Sequence, residues 1–115
     1  MNKDIEILNL IIKYANEVEE VIKNYNLDYD KFISNYVMKN TISMSILQIE
    51  ENTKKLSKEL RKKYNKIPWI LIGDMRNRFA HGYDTMNLET IWEVASEDVS
   101  SLKLYCIDIL REEKI

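Results

Sequence analysis

Turn-making residues are almost missing from this chain. Across 115 residues there are 2 glycines and 1 proline. Tight turns between strands depend on those residues, so their scarcity argues against a β-sandwich, a barrel or a many-turned α/β fold. Cysteine is equally scarce. With Cys106 alone there is no internal disulfide and no zinc site made of several thiolates from one chain. His81 is the single histidine, which excludes a three-histidine zinc site and an HExxH helix within one chain. A Ser-His-Asp triad would have to use it. Whatever histidine does here is done by one residue, or by two copies meeting across an oligomer.

Long apolar runs are also lacking. No stretch approaches the ~18 apolar residues of a membrane span. The N-terminus, MNKDIEILNLIIKY, carries Asp4 and Glu6 where a secretory leader needs basic residues, and no small-residue cleavage site follows. The expectation is a cytoplasmic protein with no membrane partner. One free Cys106 in the apolar run LKLYCIDIL fits a reducing compartment.

Neither sign of charge dominates: Lys plus Arg is 17, Asp plus Glu is 19, and the net charge is −2. The pI of about 5.5 argues against a generic nucleic-acid coat. The average conceals a pattern. Lys54, Lys55, Lys58, Arg61, Lys62, Lys63 and Lys66 crowd into one short stretch with a single acid, Glu59. Past Asp84 the acids dominate. The basic run reads as a solvated helix face or as a local phosphate-binding band.

What is present is apolar residues, 45% of the chain, at helical spacing. Ile5, Leu8, Ile11, Ile12, Ala15, Val18, Ile22 and Tyr25 form one stripe, predicting a helix over about residues 3 to 25. A second helical stretch is predicted from Tyr29 to about Tyr64, with Phe32 and Tyr36 four apart and a bend near Asn40-Thr41. Its core stripe is Ile42, Ile46, Ile49, Leu56 and Leu60. Pro68 suits the first turn of a third helix, running to Ala80 and closed by Gly82. Asn87 caps a short helix to about Ala95, and Ser96 or Asp98 caps the last one, with Val99, Leu102, Cys106, Ile109 and Leu110 inward. The expected fold is an all-α, up-and-down bundle of four main helices plus a short one, a single domain over residues 1–115.

Chemistry concentrates between Ile67 and Tyr83. On a wheel of about 100° per residue, Trp69, Ile72, Gly73, Phe79 and Ala80 fall within about 60° of Arg76. A charge in an apolar stripe is costly unless paired. Asn77 and His81, four apart, are neighbours on an adjacent strip. One reading is structural: Arg76 pairs with a carboxylate such as Glu50 or Glu51, and His81 is a dipole-favoured cap. The other is chemical. A histidine that titrates near neutrality moves protons, and an arginine holds a phosphate and its developing charge. Metal-free RNA cleavage by the substrate's own 2′-hydroxyl needs that set. Trp69 and Trp92 read as core or interface anchors rather than base-stacking platforms.

The spacing Arg76-x4-His81-x-Tyr83, with Asn77 directly after the arginine, resembles the RxxxxHxY motif of the HEPN superfamily. The chain is most similar to the HepT-like branch, ribonuclease toxins encoded beside a minimal nucleotidyltransferase. Gln48-Ile49-Glu50-Glu51, Leu56-Ser57-Lys58-Glu59-Leu60, Ile67-Pro68-Trp69 and Ile91-Trp92 resemble recurrent features of that branch. It often has glycine where this chain has Glu50. The resemblance implies a homodimer whose motif helices face one another, supplying two copies of His81 and Arg76. His81 would be the catalytic acid or base, Arg76 would stabilise the scissile phosphate, and Asn77 would support the cleft. Trp69 and Gly73 would support the dimer cleft. Lys58, Arg61, Lys62 and Arg78 are candidates for binding the RNA substrate. Tyr83 matches the tyrosine that the partner nucleotidyltransferase antitoxin modifies with AMP. No metal and no cofactor enter this scheme. The alternative is a non-catalytic helical binding subunit of a nucleotidyltransferase; a bare dimerisation module ranks last, having no use for Arg76 in its stripe.

Overall fold

The computed structural model describes residues 2–71 and 87–113, with the backbone alone for Asn2. These residues form helices and connecting turns, with no strand among them. The all-α expectation holds.

Helix α1 runs Asn2–Asn24. Leu8, Ile11, Ala15 and Val18 of the expected stripe are buried, together with Ile7. Tyr25 leaves the stripe and is 58% exposed. The reason is the helix stop. Asn26 takes a positive φ of 48°. Its N–H donates to the Lys23 carbonyl at 3.2 Å, and the Leu27 N–H reaches back to Ile22 O at 2.9 Å. This double closure uses asparagine where glycine is commoner. It turns Tyr25 outward and packs Leu27 against the core.

The predicted single helix from Tyr29 to Tyr64 is instead three. Helix α2 spans Tyr29–Ser34, α3 spans Tyr36–Lys55 and α4 spans Lys58–Lys63. The breaks fall at Asn35 and at Leu56-Ser57, not near Asn40-Thr41. Asn35 closes α2 and opens α3. Its N–H donates to Lys31 O at 3.1 Å, while its side-chain oxygen accepts from the N–H of Val37 and Met38. A side chain that offers the backbone this bond competes with helix continuation. Past the break the register changes, so Tyr36 is 73% exposed while Phe32 is fully buried. Ile42, Ile46, Ile49, Leu56 and Leu60 are all buried, as expected.

Asp4 locks the second break. Although charged, it is only 2% exposed. Its Oδ1 accepts from the Ser57 N–H at 2.8 Å and its Oδ2 from the Ser57 hydroxyl at 2.7 Å. The same hydroxyl oxygen accepts from Leu60 N–H at 3.1 Å and so caps α4. The start of α1 thereby fixes where α4 begins. Asp4→Ala leaves a part-buried N–H unpaired and removes both charge-assisted bonds, with an expected loss of about 2–3 kcal/mol in urea unfolding. Asp4→Asn keeps one acceptor and falls between.

After α4 the chain turns through Tyr64–Ile67. Pro68 to Leu71 is not helical, so Pro68 does not begin a helix. Instead the Trp69 N–H donates to Ile67 O at 2.9 Å in a tight turn. The remainder of the expected third helix, and its Gly82 cap, lie outside the described residues.

Helix α5, Leu88–Glu93, starts where expected: Asn87 Oδ1 accepts from Thr90 N–H at 3.2 Å. No cap then separates it from the last helix. A π-helical turn, Val94–Asp98, passes directly into α6, Val99–Glu113. The Ser96 hydroxyl donates to the Trp92 carbonyl at 2.7 Å rather than capping a new helix. No glycine or proline interrupts the segment, so the helix absorbs an extra residue as a wider turn.

Helix α1 is central, with α3 and α6 packed on it; α2 packs against α3 and α5. Phe32 meets Trp92 with ring centroids 5.2 Å apart, joining α2 to α5. Glu19 joins α1 to α6 by accepting from Ser100 Oγ at 2.6 Å and Lys103 Nζ at 2.7 Å. Burial pushes the Glu19 carboxyl up, but the bonds from Lys103 and Ser100 outweigh it and hold it below its ordinary value. Cys106 is buried and its thiol is pushed up to about 12 by desolvation. A thiol pKa raised on folding contributes stability that is whole below its ordinary value and is lost as pH rises through that window. The folded protein is expected to resist thiol reagents at pH 8 until denaturant is added. Rapid labelling of the native protein would contradict this burial.

Candidate functional site

The sequence places the site on residues 69–83, flanked by the basic run. The structure describes its near edge. Trp69 is buried in the core and its indole N–H donates to the Tyr64 carbonyl at 3.2 Å. It acts as a structural anchor, which agrees with its reading as core. Gly73, Arg76, Asn77, Arg78, His81 and Tyr83 lie outside the described residues.

Of the basic candidates, Lys58 and Lys62 are exposed and one helical turn apart on α4. Neither makes an ion pair or hydrogen bond among the described residues, so both charges face solvent. Arg61 is half-buried, and its Nε is buried without a hydrogen-bond partner. The basic run is not one face. Lys54 and Lys55 end α3, and Lys66 lies on the turn after α4. Lys63 is committed elsewhere, donating to Glu113 Oε1 at 2.7 Å, and that bond raises its pKa. Lys54 stands 4.0 Å from Glu51. The open positive charge is thus narrower than the composition suggests.

Glu50 is buried on α3 and takes part in an interaction there.

A feature that local sequence patterns do not show joins the end of α6 to the turn after α4. The Tyr64 hydroxyl lies 2.7 Å from Glu113 Oε1 and 3.0 Å from Glu112 Oε2, donating to this carboxylate pair. Desolvation and the two carboxylates raise the Tyr64 pKa, so the phenol keeps its proton. Bonds from Lys63 and Tyr64 lower that of Glu113. Beside this clamp a cleft is lined by Tyr64, Ile67, Tyr105 and Ile109, among others. The partners are 48 and 49 positions apart, and no short motif connects them.

Among the described residues no group of His, Cys, Asp and Glu could hold a metal, and no helix is long and apolar enough to cross a membrane. The Ribonuclease HepT-like family profile matches residues 11–109, and the chain belongs to that family. It is 30% identical over 93 residues to a Methanocaldococcus jannaschii protein named "Putative RNase", covering 81% of this chain and 75% of that one. A Caldanaerobacter subterraneus protein of the same name is 32% identical, covering 76% of this chain and 79% of its own. The "Probable ribonuclease HepT" of Thermococcus cleftensis is 22% identical over 76% of this chain and 81% of its own. No solved structure is significantly similar to the chain.

Proposed function

We propose that this single-domain chain is a metal-independent endoribonuclease toxin acting in the cytoplasm, and that its site is completed by a second copy. The observation that carries this reading is the family match over residues 11–109, which runs through Arg76, Asn77, His81 and Tyr83. Cleavage of RNA at a phosphodiester requires a base, an acid and a holder of phosphate charge. One His81 in neutral form takes the proton of the 2′-hydroxyl. The 2′-oxygen then bonds to phosphorus and the bond to the 5′-oxygen breaks. The partner's His81, in protonated form, gives its proton to that leaving oxygen. Arg76 stabilises the charge on the phosphoryl oxygens, and Asn77 supports the cleft. Each chain has one histidine, so a dimer supplies the pair. Trp69 anchors the start of the motif segment, and Gly73 lets the two copies approach closely. Lys58, Lys62, Arg61 and Arg78 steer the RNA.

The regulatory half of the proposal concerns Tyr83. A minimal nucleotidyltransferase antitoxin transfers AMP to its hydroxyl, placing a phosphate beside the cleft where substrate phosphate would bind. The test is expression in cells. The chain alone should arrest growth, and His81→Ala should relieve it. Co-expressed nucleotidyltransferase should also relieve it, with one AMP on the Tyr83 peptide, while Tyr83→Phe stays toxic. A toxic His81→Ala variant would overturn the catalytic reading.

A further inference from the structure

A cleft of about 360 Å³ opens between the turn after α4 and α6. That volume lies within the roughly 300–1,000 Å³ of small-ligand sites. Its walls are apolar and aromatic, from Tyr64 and Ile67 on the turn and Tyr105 and Ile109 on α6. Tyr105 is 43% exposed while lining it, so its ring is available for stacking. On the α6 side stand Asp108 and Glu112, one helical turn apart; on the turn side stand Asn65, Lys66 and Lys63, the last already bonded to Glu113.

The hydrogen bonds decide what this cleft accepts. The Tyr64 proton is spent on Glu112 Oε2 and Glu113 Oε1. Glu112 Oε1 and the Asp108 carboxylate remain as acceptors on the α6 wall, while the Tyr105 hydroxyl, Asn65 and Lys66 are the donors around them. Arg111 stands 4.0 Å from Asp108, and both are largely exposed, so that pairing is weak. Lys66 makes no ion pair or hydrogen bond among the described residues.

We propose that this cleft is a base-recognition subsite for single-stranded RNA, taking a base whose edge donates hydrogen bonds, guanine foremost. Aromatic walls bind a planar base by stacking. A carboxylate accepts the adjacent N–H groups of the guanine edge together. Uracil sets two carbonyl oxygens beside its single N–H, and these oppose a carboxylate. Lys66 stands at the cleft's turn-side edge, and along α4 Lys62 and Lys58 remain for the backbone outside it. Trp69, bonded to the Tyr64 carbonyl, ties the cleft wall to the start, in sequence, of the stretch that carries the motif.

This subsite rests on the ribonuclease reading, so the experiment has two arms. In the first, fluorescence anisotropy measures binding of short RNA-like oligonucleotides made uncleavable by 2′-deoxy substitution, one rich in guanine and one all uracil. The intact protein should bind the guanine strand about tenfold or more tightly. Tyr105→Ala should weaken that binding roughly tenfold to a hundredfold, and Tyr105→Phe should not. The double variant Asp108→Asn/Glu112→Gln should lose the guanine preference yet keep its thermal unfolding transition. In the second arm, the same proteins cleave a mixed-sequence RNA. Equal affinity for the two strands, or a guanine preference that survives in both Tyr105→Ala and the double variant, would overturn the subsite. RNA cut at unchanged positions by the variants would also overturn it while leaving the ribonuclease standing. No cleavage of any RNA would sink the ribonuclease reading, and the binding arm would still decide the cleft.

Discussion

RNA cleavage is expected to fall at least about a hundredfold in Arg76→Ala and in His81→Ala. A positioned acid or base contributes roughly 10²–10⁴-fold, and loss of one charge-stabilising donor costs roughly 10²–10³-fold. His81 is the chain's sole histidine, so no neighbouring imidazole replaces it. If both copies of His81 are used, one as base and one as acid, the dimer loses both functions with one substitution. Arg76→Lys should recover little, because a lysine does not hold two phosphate oxygens in one plane. Combining the two alanine variants should add little to either alone, since residues that act as a unit are not additive. Single-turnover rates with the protein in saturating excess over RNA separate chemistry from affinity. Unchanged unfolding transitions keep the comparison one of catalysis. A binding subunit with no activity of its own would show no such pattern, because its wild type would already leave RNA intact.

The second large effect is on stability. Phe32→Ala is expected to cost about 3–5 kcal/mol, a substantial part of the ~5–15 kcal/mol that holds a domain of this size together. Phe32 is fully buried, although the helix that carries it has only six residues, Tyr29–Ser34. A helix so short is not stable alone and depends on what its side chains pack against. Phe32 supplies that packing by meeting Trp92 on α5, and α5 opens directly after the motif segment. Its removal leaves a cavity between α2, α3 and α5 that the neighbours fill only in part. A fall in thermal midpoint of about 10 °C or more should accompany it. Phe32→Leu, which keeps most of the volume, should recover a large part. A Phe32→Ala midpoint within a degree or two of wild type would show that α2 is not part of the cooperative core.

Much of this architecture is legible in sequence because apolar spacing reports burial directly. Leu8, Ile11, Ala15 and Val18 on α1, and Val99, Leu102, Cys106 and Ile109 on α6, are buried as their spacing predicts. The breaks are harder to read because they come from side chains competing for backbone bonds. Asn35 and Ser57 are both cap-forming residues, and each stands immediately before a helix. In the sequence that capping signal competes with continuous apolar spacing across it, which by itself predicts one long helix. The role of Asp4 depends on Ser57, a partner 53 positions away, and no periodicity reports such a pair. The π-helical turn at Val94–Asp98 has no compositional mark; Ser96 looks like a cap and instead bonds back to Trp92.

The candidate site divides in the same way. Arg76, Asn77, His81 and Tyr83 are read from sequence alone, through local chemistry at fixed spacing on one segment, and lie outside the described residues. Trp69 is legible as an apolar anchor, and its burial agrees. The cleft of Tyr64, Tyr105, Asp108 and Glu112 is not legible, since it forms only when α6 lies against the turn after α4. The basic run is half legible. Its charges are plain, but which remain open depends on partners such as Glu113, near the end of α6.

The central claim is cleavage by the substrate's own 2′-hydroxyl, with His81 and Arg76 and without a metal. It is tested most directly by identifying the ends of RNA cut by the purified wild-type protein in EDTA. The expected products carry 2′,3′-cyclic phosphate on one fragment and a 5′-hydroxyl on the other. An RNA left intact in EDTA but cut once magnesium is restored, with 5′-phosphate and 3′-hydroxyl ends, would contradict it.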